Sequence, residues 1–282
     1  MPELPEVETV RRGLEQRTLG CPFSRVEVLL PRTIAAPAAP ELFCEALRGS
    51  RVHRWRRRGK YLLGTLQDGV GEEAGTWGVH LRMTGQFLWL QAPLPPCRHT
   101  RVRLHTEAGV ELRFLDTRTF AQMWWVPPEQ AEEEVITGLQ RLGPEPFSES
   151  FTAAYLQQAL AGSQRPIKNA LLDQRLVAGV GNIYADESLF TAGIRPHTPA
   201  GTLRAPQLQR LRDALVQVLH TSIGAGGTTF SDFRDLTGTN GNYGGEAWVY
   251  RRGGEPCRRC GTALRRERLA GRSTHWCPRC QH

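Results

Sequence analysis

The sequence lacks an apolar run of the roughly 20 residues that a membrane-spanning helix requires, so it predicts no membrane span. Its first residues, from Met1 to Glu6, lack the basic start and apolar centre of a secretory signal peptide. The 282 residues are 40% apolar and 23% charged, which excludes a disordered or fibrous chain and suffices for about two globular domains. We therefore expect a cytoplasmic protein.

Lysine is also nearly absent, since Lys60 and Lys168 are the two lysines among 36 basic residues and the rest are arginines. The formal net charge of +8 is concentrated at the end of the chain, where residues 251–282 hold nine arginines and two glutamates. Concentrated positive charge favours a polyanionic partner, with nucleic acid first and a membrane surface second, because neutralising phosphates releases counterions. A basic surface that only maintains solubility is the alternative.

Four of the seven cysteines form a pattern typical of zinc sites. Two residues separate Cys257 from Cys260 and Cys277 from Cys280, and 16 residues lie between the pairs. Each pair can point two thiolates at one tetrahedral ion, and the intervening residues suffice for a short hairpin. Disulfides are the alternative, which a cytosolic chain with an odd number of cysteines disfavours. Because four thiolates leave no open coordination position, we expect one structural zinc ion and catalytic chemistry elsewhere.

Apolar periodicity divides the chain into segments. Residues 3–19 should form one amphipathic helix, because Val7, Val10 and Leu14 recur at helical spacing. Short β-rich runs then indicate an antiparallel sandwich or barrel. These runs are 25–30, 60–66, 77–82, 86–90, 101–105, 110–115 and 120–126. The predicted domains are a β-sandwich over 1–130, a linker over 131–150, a helical domain with a Gly-rich loop over 151–245, and a four-cysteine zinc finger over 246–282.

Seven ordered motifs run through the chain. The first is Met1–Glu8 and the last is the set of four cysteines. The others are Arg58–Leu63, His80–Gly85, Asp116–Phe120, Leu142–Pro146 and Gly179–Ala185. Together they resemble the formamidopyrimidine-DNA glycosylases, bacterial enzymes that remove oxidised purines from DNA, and the resemblance covers essentially the whole chain.

The resemblance implies an α+β, multidomain fold: an N-terminal catalytic β-sandwich with a leading helix, a helix-two-turns-helix DNA-binding domain and a C-terminal zinc-finger β-hairpin. It implies a bifunctional glycosylase and lyase of base excision repair. The partner of the protein would be double-stranded DNA that contains oxidised purines or abasic sites. The protein would act as a monomer and would have no membrane partner.

The start of the chain carries the chemistry that the resemblance implies. If Met1 is removed, Pro2 presents a secondary amine with a reference pKa of about 8, which makes it a usable nucleophile. Attack on the sugar C1′ expels the base and leaves an iminium that permits β,δ-elimination. Glu3 is then the general acid and Glu6 a supporting residue. The alternative is a plain helix start, because proline and glutamate are favoured in a first turn.

Further site residues are implied position by position. With Pro2 and Glu3, the implied catalytic set includes Lys60 and Arg272. The implied DNA-contacting set is His80, Arg118, Lys168 and Asn182. A third set, which fills the stack that an extruded base vacates, is Met83, Arg118 and Phe120. Taken singly, a histidine in an apolar strand is usually structural, and an asparagine after glycine usually marks a turn.

The sequence departs from the family pattern in one loop. Thr117 stands where proline is common and Thr119 where a second arginine is common, so the stiffness and charge of this loop are open. Residues 68–76 look like an insertion in a hairpin. Residues 228–243 are expected to cover the everted base.

Two other functions remain open from the sequence. A non-catalytic zinc-ribbon DNA-binding protein accounts for the tail but leaves the Pro2 start without a purpose. A glycosylase that resembles endonuclease VIII shares the proline chemistry and prefers oxidised pyrimidines. Leu4, and the separation of Met83 from Arg118 and Phe120, favour the purine group.

Overall fold

The computed structural model describes residues 1–92, 94–228 and 235–282, and the chain folds as two compact units. Unit 1 comprises Met1–Gln140 with Gly226–Asn242, and unit 2 comprises Arg141–Ala225 with Tyr243–His282. Within the described ranges, no helix has both the length and the apolar character needed to cross a bilayer. The finer division into four segments stays a prediction.

Unit 1 begins with helix α1, Leu4–Thr18, which confirms the helix expected from periodicity. Pro5 and Glu6 lie in its first turn, where a missing amide hydrogen and a negative charge are both tolerated. Val7, Val10 and Leu14 are buried along one face. The last turn is fixed to the sheet, because Trp55 Nε1 donates to Thr18 Oγ1 at 2.8 Å.

Two sheets form the β-sandwich of unit 1. The four-stranded sheet has the order β1-β7-β8-β6 and the five-stranded sheet the order β2-β9-β5-β4-β3, and only the β2–β9 pair is parallel among the described strands. Trp77 of the second sheet contacts Phe23 and Phe87 of the first, with ring centroids 6.0 and 5.9 Å apart. The strands are β1 Phe23–Val28, β2 Ile34–Ala36, β3 Arg51–Arg58, β4 Tyr61–Gln67, β5 Glu73–His80, β6 Gly85–Leu90, β7 Thr100–Thr106, β8 Glu111–Asp116 and β9 Gln122–Val126.

The structure adds elements that the apolar pattern did not predict. Strand β3 contains five arginines and buries little besides Val52 and Trp55, so it has no apolar run to reveal it. Helices α2 (Pro40–Leu47) and α3 (Glu132–Val135) are short. The 68–76 segment is a tight turn, in which Asp68 Oδ1 accepts from the amides of residues 70 and 72, followed by the first half of β5.

Unit 2 is mainly helical and ends in a β-hairpin. Helix α6, Asn182–Ala192, is buried on almost every side. Tyr184 of this helix shares a 2.6 Å hydrogen bond with Ser222 of helix α7, Ala205–Gly224. Both oxygens of the buried Glu187 accept from the amides of residues 248–250 at 2.8–2.9 Å, which fixes the segment that leads to the hairpin. The elements are α4 Ala153–Leu160, α5 Ile167–Leu171, α6 Asn182–Ala192, α7 Ala205–Gly224, α8 Tyr243–Glu246, β10 Arg265–Leu269 and β11 Arg272–Trp276.

Candidate functional site

The start of α1 is a buried cluster of polar groups. Pro2 is buried, and the side chains of Glu3 and Glu6 are only 4% and 0% exposed. Glu6 Oε2 accepts from the Glu3 amide at 2.8 Å, and its Oε1 accepts from the Thr228 amide at 3.0 Å. Glu6 therefore joins the start of the helix to Thr228, the first residue of the expected lesion-covering loop. Residues 229–234 of that loop lie outside the described residues.

The amino group at the N-terminus lies among the predicted catalytic side chains. This amine is that of Met1, which precedes Pro2, and burial lowers its pKa below the ordinary value. A lowered pKa increases the fraction of neutral, nucleophilic amine at pH 7. The carboxylates of Glu3 and Glu6 raise the pKa of the amine, whereas the positive charges of Lys60 and Arg118 lower it further. Four residues singled out from the sequence thus lie within electrostatic range of one amine.

His80 ends strand β5 and is 7% exposed. Its Nδ1 accepts from the Arg82 amide at 3.0 Å, so in the neutral ring the hydrogen is on Nε2, which is the ring's donor. The edge contact with Tyr61, 4.6 Å between ring centroids, fixes the ring orientation. Burial, with the nearby charges of Arg82 and Lys60, lowers the pKa of His80 to about 3. His80 is consequently a neutral hydrogen-bond donor at physiological pH.

This lowered pKa predicts a pH dependence of stability. Between pH 3 and 6.5 the unfolded chain binds a proton at His80 that the folded chain does not, so stability falls as the pH drops below 6.5. From pH 7 to pH 5, the free energy of unfolding of the wild type should fall about 2 kcal/mol more than that of His80→Gln. Denaturant titrations of both proteins at the two pH values measure the difference. Equal losses in the two proteins would contradict a neutral, buried His80.

Three exposed side chains form the predicted wedge. Met83 is 38% and Phe120 53% exposed, unusual for large apolar side chains, and both line a surface cleft beside Met1. The guanidinium of Arg118 lies 5.0 Å from the centre of the Phe120 ring, a cation–π contact. The structure thus places the predicted wedge residues on one surface next to the N-terminus. Residue type alone would favour a core position for Met83 and Phe120, but neither side chain belongs to the core.

The buried carboxylate of Asp116 holds both wedge loops. Its Oδ1 accepts from the Thr84 hydroxyl and, at 3.2 Å, from the Arg118 amide, whereas its Oδ2 accepts from the Ala121 amide at 2.8 Å. One side chain therefore ties the loop that carries Met83 to the loop that carries Arg118. Sequence reasoning missed this role, although Asp116 opens one of the motifs.

The loop that departs from the family pattern has its own contacts. Thr119 adopts φ 58°, in the left-handed region. Its hydroxyl donates to the Arg118 carbonyl at 2.7 Å and accepts from the Arg32 guanidinium. A positive charge from Arg32 thus lies beside the position where the family commonly has arginine.

In unit 2, the structure turns Lys168 inward. Its side chain is 1% exposed, and Nζ donates to the Ser273 carbonyl at 2.7 Å and the Thr274 hydroxyl at 2.8 Å. The same atom lies 2.7 Å from Asp186 Oδ1. The DNA contact that the resemblance implies for Lys168 stays a prediction, and in this structure its ammonium is enclosed by groups of the protein.

Asn182 and Arg272 converge on the same hairpin. Asn182 opens α6, and its Nδ2 donates to the Ser273 carbonyl at 3.0 Å. Arg272 is exposed at the start of β11, directly before Ser273. Three predicted residues of unit 2 therefore meet at one short stretch of backbone.

The four cysteines of the C-terminal pattern cluster as expected for one metal ion. Their sulfur atoms all lie within 4.8 Å of one another, with Cys257–Cys280 at 4.0 Å and Cys260–Cys277 at 3.5 Å. A zinc–sulfur bond of about 2.3 Å in a tetrahedron requires sulfur atoms about 3.8 Å apart. The residues therefore fit one structural zinc ion.

Comparisons with known proteins agree along the whole chain. Three family models match: the formamidopyrimidine-DNA glycosylase N-terminal domain at residues 1–123, the formamidopyrimidine-DNA glycosylase H2TH domain at 142–234, and a zinc finger found in FPG and IleRS at 254–282. The formamidopyrimidine-DNA glycosylase of Parasynechococcus marenigrum is 65% identical, with 100% of each chain covered.

Solved structures of Lactococcus lactis Fpg are similar as well. A mutant of that protein in complex with DNA containing Fapy-dG has a TM-score of 0.90 and 33% identity, with 100% of each chain covered. A complex with DNA containing an abasic site has a TM-score of 0.89 and 33% identity, with 99% of each chain covered.

Proposed function

The chain belongs to the formamidopyrimidine-DNA glycosylase family, and on this premise we propose that it excises oxidised purines from duplex DNA and cleaves the strand at the resulting abasic site. It is a DNA glycosylase of base excision repair with one structural zinc ion. The Lactococcus lactis relative is bound to DNA with Fapy-dG or an abasic site, and we assign the same ligand classes to this chain. We place the activity in the cytoplasm, on chromosomal DNA, with the protein acting as a monomer.

The observation that carries this mechanism is the N-terminal amine, here that of Met1, whose pKa burial lowers and on which the charges of Glu3, Lys60 and Arg118 act. Removal of Met1 makes the secondary amine of Pro2 the start of the chain, and Pro2 is buried and directly precedes the buried Glu3. A glycosylase that also cleaves the strand needs an amine with a pKa near the working pH, because only the neutral form attacks carbon.

The proposed reaction comprises base displacement, opening of the sugar ring, two eliminations and hydrolysis. The Pro2 nitrogen bonds to the sugar C1′ as the C1′–base bond breaks, and the proton that the nitrogen loses leaves with the base. Glu3 gives a proton to the ring oxygen as the sugar opens, which leaves an iminium at C1′. Loss of a C2′ proton then expels the 3′ phosphate, and loss of a C4′ proton expels the 5′ phosphate. Water finally hydrolyses the iminium between C1′ and the nitrogen, which releases Pro2.

Several other residues are proposed to hold the DNA in this reaction. The Nε2–H of neutral His80 and the cations of Lys60 and Arg272 suit phosphate oxygens. The amide of Asn182 opens a helix of 11 residues, where backbone N–H groups favour anions. Met83, Arg118 and Phe120 occupy the vacated stack while the damaged base is extruded.

A panel of lesion duplexes tests the function. Single-turnover cleavage of duplexes with 8-oxoguanine, formamidopyrimidine or thymine glycol should be faster for both purine lesions. Preference for thymine glycol would reassign the chain to the activity of the endonuclease VIII group. Binding without cleavage of any lesion would instead support a non-catalytic DNA-binding protein.

Arg118 is proposed to read the base opposite the lesion. A guanidinium offers only donors, which match the O2 and N3 acceptors of cytosine, whereas adenine presents an amino donor beside its ring nitrogen. Such a pair contributes about 1–3 kcal/mol of discrimination, roughly 5- to 150-fold in rate. Arg118→Ala should therefore slow 8-oxoguanine excision opposite cytosine much more than opposite adenine, as measured by single-turnover rates. An equal loss on both duplexes would limit Arg118 to filling the stack.

A further inference from the structure

Two buried side chains of opposite charge contact the zinc-finger hairpin from within unit 2. The Lys168 ammonium lies between Asp186 Oδ1 and two groups of strand β11, the Ser273 carbonyl and the Thr274 hydroxyl, all at 2.7–2.8 Å. Lys168 and Asp186 are 1% and 0% exposed. No phosphate of a long DNA duplex can approach an ammonium enclosed in this way.

The second oxygen of Asp186 reaches the same strand. Asp186 Oδ2 accepts from the His275 amide at 2.9 Å and lies 3.1 Å from His275 Nδ1. Asn182 adds a further donor to the Ser273 carbonyl. Residues 273–275 are therefore held at every position by side chains of α5 and α6, and Arg272 is the residue that immediately precedes them.

We infer that Lys168 and Asp186 are positioning residues that set the place of Arg272, and that Lys168 itself makes no contact with DNA. The inference rests on the proposed phosphate contact of Arg272. A compact ammonium suits this site, because a planar guanidinium could not approach a carboxylate, a carbonyl and a hydroxyl from one enclosed point. Removal of either charge leaves the other buried without its partner, so the strand start should shift.

A mutant cycle with Arg272 separates positioning from direct contact. The affinity for a duplex with an uncleavable abasic-site analogue is measured for Lys168→Met, Arg272→Ala and the double variant. Each single variant should lose roughly 5- to 150-fold in affinity, the value of one good contact. The double variant should bind like Arg272→Ala alone, because Lys168 acts through Arg272.

The salt dependence gives an independent readout. Arg272→Ala should reduce the slope of log affinity against log salt by about one, the effect of one lost phosphate contact. Adding Lys168→Met should leave that slope unchanged. A further reduction of about one would show that Lys168 contacts a phosphate directly and would overturn the inference.

Two more variants address folding and charge. Thr274→Val removes one partner of the ammonium and keeps both charges, so it should weaken binding by a smaller factor than Lys168→Met. Unchanged affinity in Thr274→Val, with full zinc content, would contradict positioning. Arg210→Gln on α7 removes an exposed charge of the same unit and should leave the affinity within about twofold. Normal binding by Arg272→Ala alone would contradict the proposed phosphate contact of Arg272. A double variant whose loss of affinity equals the product of the losses in Lys168→Met and Arg272→Ala would contradict the positioning role.

Discussion

An N-terminal extension that cannot be removed should abolish excision, with a loss of roughly a thousandfold or more, as expected when a nucleophile is eliminated. Extension converts the secondary amine of Pro2 into an amide, whose nitrogen has no available lone pair for attack on C1′. Single-turnover cleavage of an 8-oxoguanine duplex measures the effect.

A matched pair of proteins controls this experiment. The same extension followed by a protease site that regenerates Pro2 should restore the rate after cleavage. Affinity for the uncleavable duplex should fall far less than the rate, because the phosphate contacts proposed for His80, Asn182 and Arg272 do not involve the amine. An extended protein with an undiminished rate would require a nucleophile elsewhere, and Lys60, whose charge acts on the N-terminal amine, would be the first candidate.

Loss of the zinc site should produce the second large effect, on DNA binding. Metal binding supplies about 10–16 kcal/mol to small zinc-bound folds, so Cys257→Ser or Cys280→Ser should unfold the finger and displace Arg272. We expect lesion affinity to fall roughly tenfold or more, the equivalent of losing at least one contact of about 1–3 kcal/mol. Titration of the abasic-analogue duplex, together with zinc analysis, measures both changes.

Cys97→Ser is the matched control, since Cys97 is exposed and lies outside the cluster. It should retain both zinc and affinity. A chelated protein that has lost its zinc and still binds the lesion duplex with full affinity would show that the finger does not serve binding.

The sequence predicted those parts of the fold that depend on residues close together in the chain, such as the first helix and the cysteine cluster. The spacing of Val7, Val10 and Leu14 is sufficient to predict α1, and the spacing of the four cysteines is sufficient to predict the metal cluster. Strand β3 could not be predicted from apolar runs, because its arginines interrupt them, although Trp55 packs in the core.

Long-range partners explain what the sequence could not predict at the site. The burial of Lys168 depends on Ser273, whose carbonyl accepts from its ammonium and which lies 105 positions further along the chain, and no periodicity predicts such a pair. The same holds for Asp116, whose side chain is tied to Thr84 of another loop 32 positions away. Buried charges depend on partners that only the folded chain brings together.

The identity of the trapped amine tests the central claim most directly. Borohydride reduction during cleavage of an 8-oxoguanine duplex fixes the covalent intermediate, and mass spectrometry of its peptides locates the sugar remnant. The account predicts the remnant on the nitrogen of Pro2, in a peptide that lacks Met1. A remnant on Lys60 or Lys168, or cleavage with no trapped adduct, would contradict it.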